Sequence, residues 1–335
     1  MIFKMEAPLL HVDVFRLVVD HLNCCKTLCH LIQTNKHYYE MRSKVPWDDD
    51  RPLWITPNMT SLSYYNQFRT IVLSPTISTI CPSFVTHISV ISQGYSGQYK
   101  QFGDQGPSFL KSMYIWPSMN LEDVNDLFCN KTIKEVHLSN FESLDVVWPS
   151  GVEKLSIDNS LNFLSKGCIP DTVKHLEFLY YDGPLDPGVL HEGLETLDLG
   201  EEYYMPFHSK SFPKTLKVLK LSKQFNRELK VGDLPERLEE LYFGKYYNQP
   251  IKPGVLPDSL LKINFGTTFN IPMSRIHFPK NIKKIKLACS NYAFAVNIND
   301  FPESLEKLTI SKQYQYCHHM KLKTPRENPP RVKFF

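Results

Sequence analysis

The sequence predicts a repeat solenoid built around a parallel β-sheet, with one short strand in each coil of about 22 residues and mostly turns on the outer side. Two observations predict this fold. Similar short segments recur along most of the 335-residue chain, and the apolar residues within them alternate as they do in a half-buried strand. A third observation, helical periodicity near the N-terminus, predicts a small α-helical domain before the array.

The repeated segment begins with an apolar residue followed by proline. LPDSLLKINFG begins at Leu256, LPERLEELYFG at Leu234 and FPKTLKVLKLS at Phe212. The proline slot recurs at positions 149, 170, 191, 213, 235, 257, 279 and 302, with a histidine at 191. The steps are therefore 21 to 23 residues. Fainter copies extend the predicted array back to about residue 80.

Apolar residues fall three, six and eight positions after the proline slot, as Leu260, Ile263 and Phe265 do. The last two flank one polar residue, which is strand periodicity. An isolated strand of this length is not stable in water, but stacked strands bury their apolar faces against one another. Because the pattern L-x-x-L-x-L/F and its period are typical of leucine-rich repeats, we predict a leucine-rich-repeat-like solenoid over residues 81–312.

The segment after each strand carries a glycine, such as Gly244 or Gly266, and then an aromatic residue followed by asparagine. We predict that the glycine permits a tight turn and that the aromatic side chain fills the interior of the coil. A short amide side chain can satisfy backbone groups, so a ladder of asparagines should saturate the buried turn of each coil. These asparagines are Asn226, Asn248 and Asn270.

Two segments carry a resemblance to a known family. FNIP at Phe269–Pro272 and NQPIKPG at Asn248 resemble the FNIP repeat, a leucine-rich-repeat-like family. The copies at residues 234–255 and 256–277 match its pattern best, and the resemblance is specific over about residues 169–310. It implies a solenoid fold for this part of the chain.

Residues 1–48 lack the repeat, and we predict that they form three short helices. Val14, Phe15 and Val18 lie at helical spacing after a possible cap at Asp13. The stretch resembles an F-box, the helical motif that docks on the small adaptor of cullin–RING ubiquitin ligases, with HVDV where the usual leucine-proline opening would stand. The resemblance implies a docking face made by Leu10, Val14, Phe15 and Val18.

An F-box-like head followed by FNIP-like repeats resembles proteins of amoebae and large amoebal viruses. The alternative for these helices is a cap over the first coil, because the terminal repeats of a solenoid need capping. Residues 49–80 are interpreted as a linker or a degenerate first repeat, and residues 313–335 as a C-terminal tail.

The polar residues between the inward strand positions should point away from the core, since side chains alternate across a strand. On the concave face of a solenoid they would form a strip that becomes basic toward the C-terminus and favours an acidic partner. An ordinary solvated surface is the alternative. The predicted target-binding residues are Glu177, Asp198, Lys220, Tyr242, Lys262, Asn264, Lys284, Lys286 and Lys307.

The sequence offers little for catalysis. It has no phosphate-binding loop and no nucleophile elbow, and the thiols and imidazole of Cys24–His30 lack the spacing of a zinc site. We expect no catalytic residue, cofactor or metal. A net charge of +3 is too small to indicate nucleic-acid binding, and no apolar run is long enough to cross a membrane.

The sequence therefore predicts a non-catalytic receptor that links a target on the solenoid to a cullin–RING ubiquitin ligase. The alternative is a plain scaffold whose N-terminal helices only cap the array. We expect a monomer, in the cytoplasm (the host cytoplasm if the chain is viral) or in the nucleus, because the N-terminus does not resemble a secretory signal. The eight cysteines would then be reduced thiols.

Overall fold

The computed structural model describes residues 53–54, 70–73, 85–90, 106–115, 119–139, 141, 143–158, 163–208, 210–314 and 329–335. These residues form one parallel sheet of 14 strands, and the order of the strands in the sheet is their order in the chain. The predicted parallel solenoid with one strand per coil is confirmed. The predicted helical domain, residues 1–48, lies outside the described residues, and so do Leu10, Val14, Phe15 and Val18.

Regular structure other than strand is sparse in the described part of the chain. One α-helix, α1 (Leu121–Phe128), precedes β5, and two short 3-10 turns occupy Met273–Arg275 and Ile298–Asp300. The strands are β1 (Leu53–Trp54), β2 (Thr70–Leu73), β3 (His87–Val90), β4 (Phe109–Ile115), β5 (Thr132–Ser139), β6 (Lys154–Asp158), β7 (His175–Phe178), β8 (Thr196–Asp198), β9 (Val218–Lys220), β10 (Glu240–Tyr242), β11 (Lys262–Phe265), β12 (Lys284–Leu287), β13 (Lys307–Ile310) and β14 (Arg331–Phe334).

The register between coils places equivalent residues side by side. Glu240 pairs with Lys262, and Lys262 pairs with Lys284, so these strands lie 22 residues apart. Equivalent side chains consequently form columns that run across the sheet. Alternate columns point inward, where Leu241 and Ile263 are fully buried. These inward columns form the core, as the strand periodicity predicts.

A column of aromatic rings fills the coil behind the strands. Each ring belongs to the residue that precedes the asparagine slot or its counterpart, and each is at most 1% exposed. Ring centroids of consecutive coils lie 6.0 to 6.5 Å apart where they stack or tilt against each other. Rings therefore occupy the wide part of each coil and contact the rings of its neighbours. The column comprises Tyr181, Tyr203, Phe225, Tyr247, Phe269, Tyr292 and Tyr314.

The asparagines after these rings tie successive coils together. The backbone N–H of Asn248 donates to Oδ1 of Asn226 at 2.9 Å, and the N–H of Asn270 donates to Oδ1 of Asn248 at 2.8 Å. The N–H of Ala293 continues the ladder onto Asn270 Oδ1 at 2.9 Å. Asn226 and Asn248 are exposed and Asn270 is half-buried. The ladder therefore lies at the surface, which corrects the buried turn that the sequence analysis expected.

The glycines after the strands allow the coils to approach closely. A Cβ on Gly244 would lie 1.7 Å from the carbonyl oxygen of Ser222, and one on Gly266 would lie 1.9 Å from that of Gly244. Neither glycine has a positive φ, whereas Gly200 has a φ of +62° and a clash as well. Contact between coils, and not only the predicted tight turn, requires glycine here.

The proline at the head of each segment opens a turn. The carbonyl oxygens of Pro235 and Pro257 each accept a hydrogen bond of 3.1 Å from the N–H of the leucine three residues later, Leu238 and Leu260. A serine inside the second turn, Ser259, donates its hydroxyl to Leu238 O of the previous coil at 2.7 Å. Each turn thus delivers one leucine to the core, and the second turn also bonds to the coil before it.

Three strands lie outside residues 81–312, over which the solenoid was predicted. β1 and β2 join the sheet from residues 49–80, and β14 joins it from the stretch interpreted as a tail, with Val332 opposite Leu308. Helix α1 was not predicted. Its N-cap, Asn120, accepts the N–H of Asp123 through its side chain at 2.8 Å, and its apolar side chains enter the core.

We predict that Asn248→Ala lowers the free energy of unfolding by about 1 kcal/mol, because the N–H of Asn270 loses its acceptor. Asn248→Asp keeps an oxygen acceptor and should lower the free energy of unfolding by less. Asn291→Ala is the matched control, since Asn291 is exposed in a turn and its side chain has no hydrogen bond with the described residues. Chemical denaturation measures all three variants, and equal losses would contradict a stabilising ladder.

Candidate binding face of the sheet

Two columns of side chains point to solvent and form the face of the sheet opposite the core. We call them the first and second outer columns. Strand pairing places all nine residues that the sequence analysis nominated in these two columns. The first runs through Glu135, Lys154, His175, Thr196, Val218, Glu240, Lys262, Lys284, Lys307 and Arg331. The second runs through Tyr114, His137, Ser156, Glu177, Asp198, Lys220, Tyr242, Asn264, Lys286, Thr309 and Lys333.

Charges in the middle of this face are paired across neighbouring strands. Lys220 Nζ lies 2.9 Å from Asp198 Oδ2, and Lys262 Nζ lies 2.9 Å from Glu240 Oε2. The hydroxyl of Tyr242 donates to the same Glu240 carboxylate and accepts from Lys262. Partial burial alone would raise the pKa of Glu240, but the hydrogen bonds from Tyr242 and Lys262 hold it below its usual value.

A basic patch occupies the C-terminal end of the same face. Within β11 to β14, the two outer columns contain no acidic side chain. Lys286 Nζ lies 4.2 Å from the centre of the Phe335 ring, a cation–π contact. Lys284, Lys307, Arg331 and Lys333 have no ion pair with any described residue. The patch comprises Lys262, Lys284, Lys286, Lys307, Arg331 and Lys333.

A groove of about 640 Å³ borders the basic patch. It is lined by Lys284, Lys307 and Arg331, and also by Lys283 and Glu306, which pair with each other at 3.1 Å. The sequence analysis missed Arg331 and Lys333 because it assigned their segment to a tail. The alternation of Val332 and Phe334 after two prolines was a signal that could have identified this strand.

A second cavity, of about 240 Å³, lies on the same face near the N-terminal end of the described array. The rings of Tyr114 and His137 stack across β4 and β5, with centroids 4.0 Å apart and planes 3° from parallel. Ser156 follows in the same column and donates to Glu177 Oε2 at 3.1 Å. Asp158, which also lines the cavity, accepts from Ser139 at 3.3 Å. The sequence analysis nominated only Glu177 among these residues.

His137 is uncharged at neutral pH. Burial, and to a smaller extent the charge of Lys154, lowers its pKa to about 4, although Glu135 opposes the shift. Its Nε2 lies 3.9 Å from Glu135 Oε2, which is too far for a hydrogen bond. The cavity therefore contains a neutral aromatic wall and two carboxyl groups.

The described residues hold little that could support metal or thiol chemistry. They contain no group of three His, Cys, Asp or Glu side chains that could hold a metal ion. Burial raises the pKa of the Cys289 thiol to about 11, so this thiol stays protonated at neutral pH. No helix in this part of the chain is both long enough and apolar enough to cross a membrane.

We predict that Glu240→Gln destabilises the protein by less than about 1 kcal/mol at pH 7, because a half-exposed ion pair contributes little. The folded-state pKa of Glu240 lies below its usual value, so its contribution is complete above the ordinary glutamate pKa of about 4.3 and disappears as the pH falls below it. Glu236→Gln is the control, since Glu236 is exposed. Thermal denaturation from pH 7 to pH 3 measures the difference, and a difference that grows in acid would contradict the assignment.

Comparison with known proteins supports the repeat architecture. The FNIP Repeat model matches residues 225–268 and 247–290. A solved structure described as CroV588, a novel circular LRR protein, superposes with a TM-score of 0.58 at 17% identity. The match covers 80% of this chain and 43% of that one, so this chain spans less than half of its relative. A search of the curated proteins found no match.

A leucine-rich repeat protein from Bacteroides ovatus was also found, at 13% identity over 84% of this chain and 87% of that one. Its TM-score of 0.14 is too low to support an argument. The FNIP match over residues 225–290 and the likeness to a circular leucine-rich repeat protein agree with the fold described above. The described chain is a leucine-rich-repeat-like solenoid, and its residues 225–290 match the FNIP repeat.

Proposed function

We propose that this chain is a non-catalytic substrate receptor of the F-box type. In this proposal residues 1–48 dock on the small adaptor of a cullin–RING ubiquitin ligase, and the solvent face of the sheet holds a target protein. The observation that carries the target-binding half is the basic patch, which concentrates positive charge at one end of a face whose middle is charge-paired. The F-box-like sequence of residues 1–48 supports the adaptor-binding half.

The patch keeps like charges next to each other. Lys284 lies directly opposite Lys307 on the next strand, and Lys307 lies directly opposite Arg331. Three cations therefore lie side by side on adjacent strands. Adjacent strands lie about 4.8 Å apart, and like charges directly opposite each other destabilise a sheet. The ion pairs in the middle of the face show that the same columns can accommodate alternating charge. A bound anionic surface would relieve the repulsion at the C-terminal end.

The chemistry of the patch suits an acidic segment of a protein. Its side chains project from a regular sheet, so their spacing is set by strand geometry. Complementary charge would speed the encounter and select acidic partners over basic ones. Ubiquitin transfer would then depend on holding the target near the ligase, without covalent chemistry on this chain. The described fold is typical of non-enzymatic binding scaffolds.

The alternative is a scaffold whose N-terminal helices cap the array and bind no adaptor. Under both alternatives we place the protein, as a monomer, in the cytoplasm or the nucleus, and in the host cytoplasm if it is viral. The two alternatives differ in whether a ubiquitin-ligase adaptor binds, so capture of the full chain from cells distinguishes them.

We predict that capture of the full chain recovers the adaptor, the cullin and an acidic target. The double variant Val14→Asp/Phe15→Asp should lose the adaptor and keep the target. A patch variant with Lys284, Lys307, Arg331 and Lys333 replaced by glutamine should lose the target and keep the adaptor. The matched control replaces four exposed lysines outside the two outer columns: Lys166, Lys214, Lys230 and Lys280.

Absence of the adaptor from every capture would contradict the proposal that the chain is an F-box-type receptor, and would favour the scaffold alternative. Equal target recovery by the patch and control variants would contradict the basic patch as the binding surface. Nuclease treatment is included, because a partner that nuclease removes would show that the patch binds nucleic acid and not an acidic protein.

A further inference from the structure

The cavity beside β4 to β7 has the shape of a slot between two tall side chains. His137, Ser156 and Glu177 are consecutive members of the second outer column, on β5, β6 and β7. Ser156 is small, and the strands on either side of it lie roughly 9 to 10 Å apart, two strand spacings. A planar group stacked on the face of the His137 ring that Tyr114 does not cover would fill this gap and reach Glu177.

One wall of the slot is aromatic and held in place. The His137 ring stacks on Tyr114 at 4.0 Å with nearly parallel planes, so its orientation is fixed by the neighbouring strand. The base of the slot is the sheet itself, at Ile157 and Leu138. Such a wall and base suit a flat group carried on an aliphatic chain.

The other side of the slot carries negative charge. Ser156 donates to Glu177 Oε2 at 3.1 Å, and Asp158 lies on the same strand as Ser156 and lines the cavity. No lysine or arginine is among the residues that line the cavity. The charges of two lysines reach slot residues, but each lysine also lies beside a carboxylate outside the slot: Lys220 bonds to Asp198 at 2.9 Å and Lys154 lies 3.8 Å from Glu135.

These features fit one natural side chain best. Guanidinium is planar, stacks on aromatic rings and donates two parallel hydrogen bonds to a carboxylate, whereas the lysine ammonium is a compact, strongly hydrated point charge. The cavity, at about 240 Å³, has room on the order of eight water molecules at about 30 Å³ each. An arginine side chain has about as many non-hydrogen atoms.

We propose that this slot, which we call the arginine slot (Tyr114, His137, Ser156, Asp158 and Glu177), binds an arginine side chain of a partner polypeptide. The guanidinium stacks on His137 over Ser156, and Glu177 accepts its hydrogen bonds while Asp158 adds negative charge. This inference rests on the proposed role of the sheet face in binding a protein, but not on the adaptor. Together with the basic patch, it describes a target with an arginine toward one end of the contact and acidic residues toward the other.

The test uses the purified full chain and three small probes: N-acetylarginine methylamide, the lysine analogue and the citrulline analogue. Citrulline keeps the planar shape of arginine without the charge. Binding is followed by the NMR signals of the histidine ring protons, assigned with His137→Gln. We expect saturable binding of the arginine probe and about tenfold weaker binding of both other probes. Citrulline lacks the charge-assisted hydrogen bonds, which are roughly twice as strong as neutral ones, and the lysine ammonium lacks the planar group that stacks.

Variants locate the site. Glu177→Gln should weaken binding of the arginine probe about tenfold. Ser156→Leu should abolish this binding, because the larger side chain fills the slot. Glu202→Gln is the matched control, because Glu202 is exposed and lies outside both outer columns. Comparison of the three probes on the wild-type chain does not depend on how well Ser156→Leu folds.

Equal binding of citrulline and arginine would overturn the proposal, and so would an unchanged arginine affinity in Glu177→Gln or the absence of saturable binding. The adaptor takes no part in this assay, so failure here is distinguishable from failure of the receptor proposal. Loss of the adaptor from the cellular captures would leave the slot measurement unaffected.

Discussion

The structure depends on a match between the length of the sequence repeat and the length of one coil. The described coils depend on one another for their hydrogen bonds: each strand pairs with its neighbours, the side-chain oxygen of Asn248 accepts the N–H of Asn270, and the Ser259 hydroxyl donates to Leu238 O. The two side-chain hydrogen bonds join residues 22 and 21 positions apart, about one repeat. An isolated coil would leave these groups to water and expose its apolar face, so stability arises at the interfaces between coils.

This constraint divides the side chains into a set that must repeat from coil to coil and a set that can vary. Inward columns, the ring column and the glycine slot must repeat, because each member contacts its counterpart in the next coil; a side chain on Gly244 would meet the backbone of Ser222. The outer columns contact mainly one another and solvent. Charge can therefore change along them, from the carboxyl groups of the arginine slot, through the Lys262–Glu240 pair, to the basic patch, while the sheet stays the same.

The sequence predicted the parts of the fold that depend on local period. Apolar spacing after the proline slot located the strands from β6 to β13, and the outer residues followed from alternation. Features that depend on contact between coils were harder to predict from the sequence. The glycine slot was attributed to a turn, although the clash at Gly244 comes from a residue 22 positions earlier. β14 was missed because the array was taken to end at residue 312.

The arginine slot was also harder to predict from the sequence, because its residues come from different coils. Tyr114, His137, Ser156 and Glu177 lie side by side, but the steps between them are 23, 19 and 21 residues. The sequence analysis treated the segments before residue 149 as fainter copies of the repeat and nominated outer residues only from Glu177 onward. Helix α1, which lies between β4 and β5, contributes to this irregular spacing.

Native-state hydrogen exchange tests the dependence of each coil on its neighbours most directly. The backbone N–H groups of Asn248, Asn270 and Ala293 lie in surface turns and outside the strands, but each bonds to an asparagine oxygen of the preceding coil. If the coils stabilise one another as described, these amides will be protected nearly as strongly as those of β10 to β12, and will exchange together with them as one cooperative unit. Rapid exchange of the three amides while the strands stay protected would show that the turns open independently, and would contradict this account.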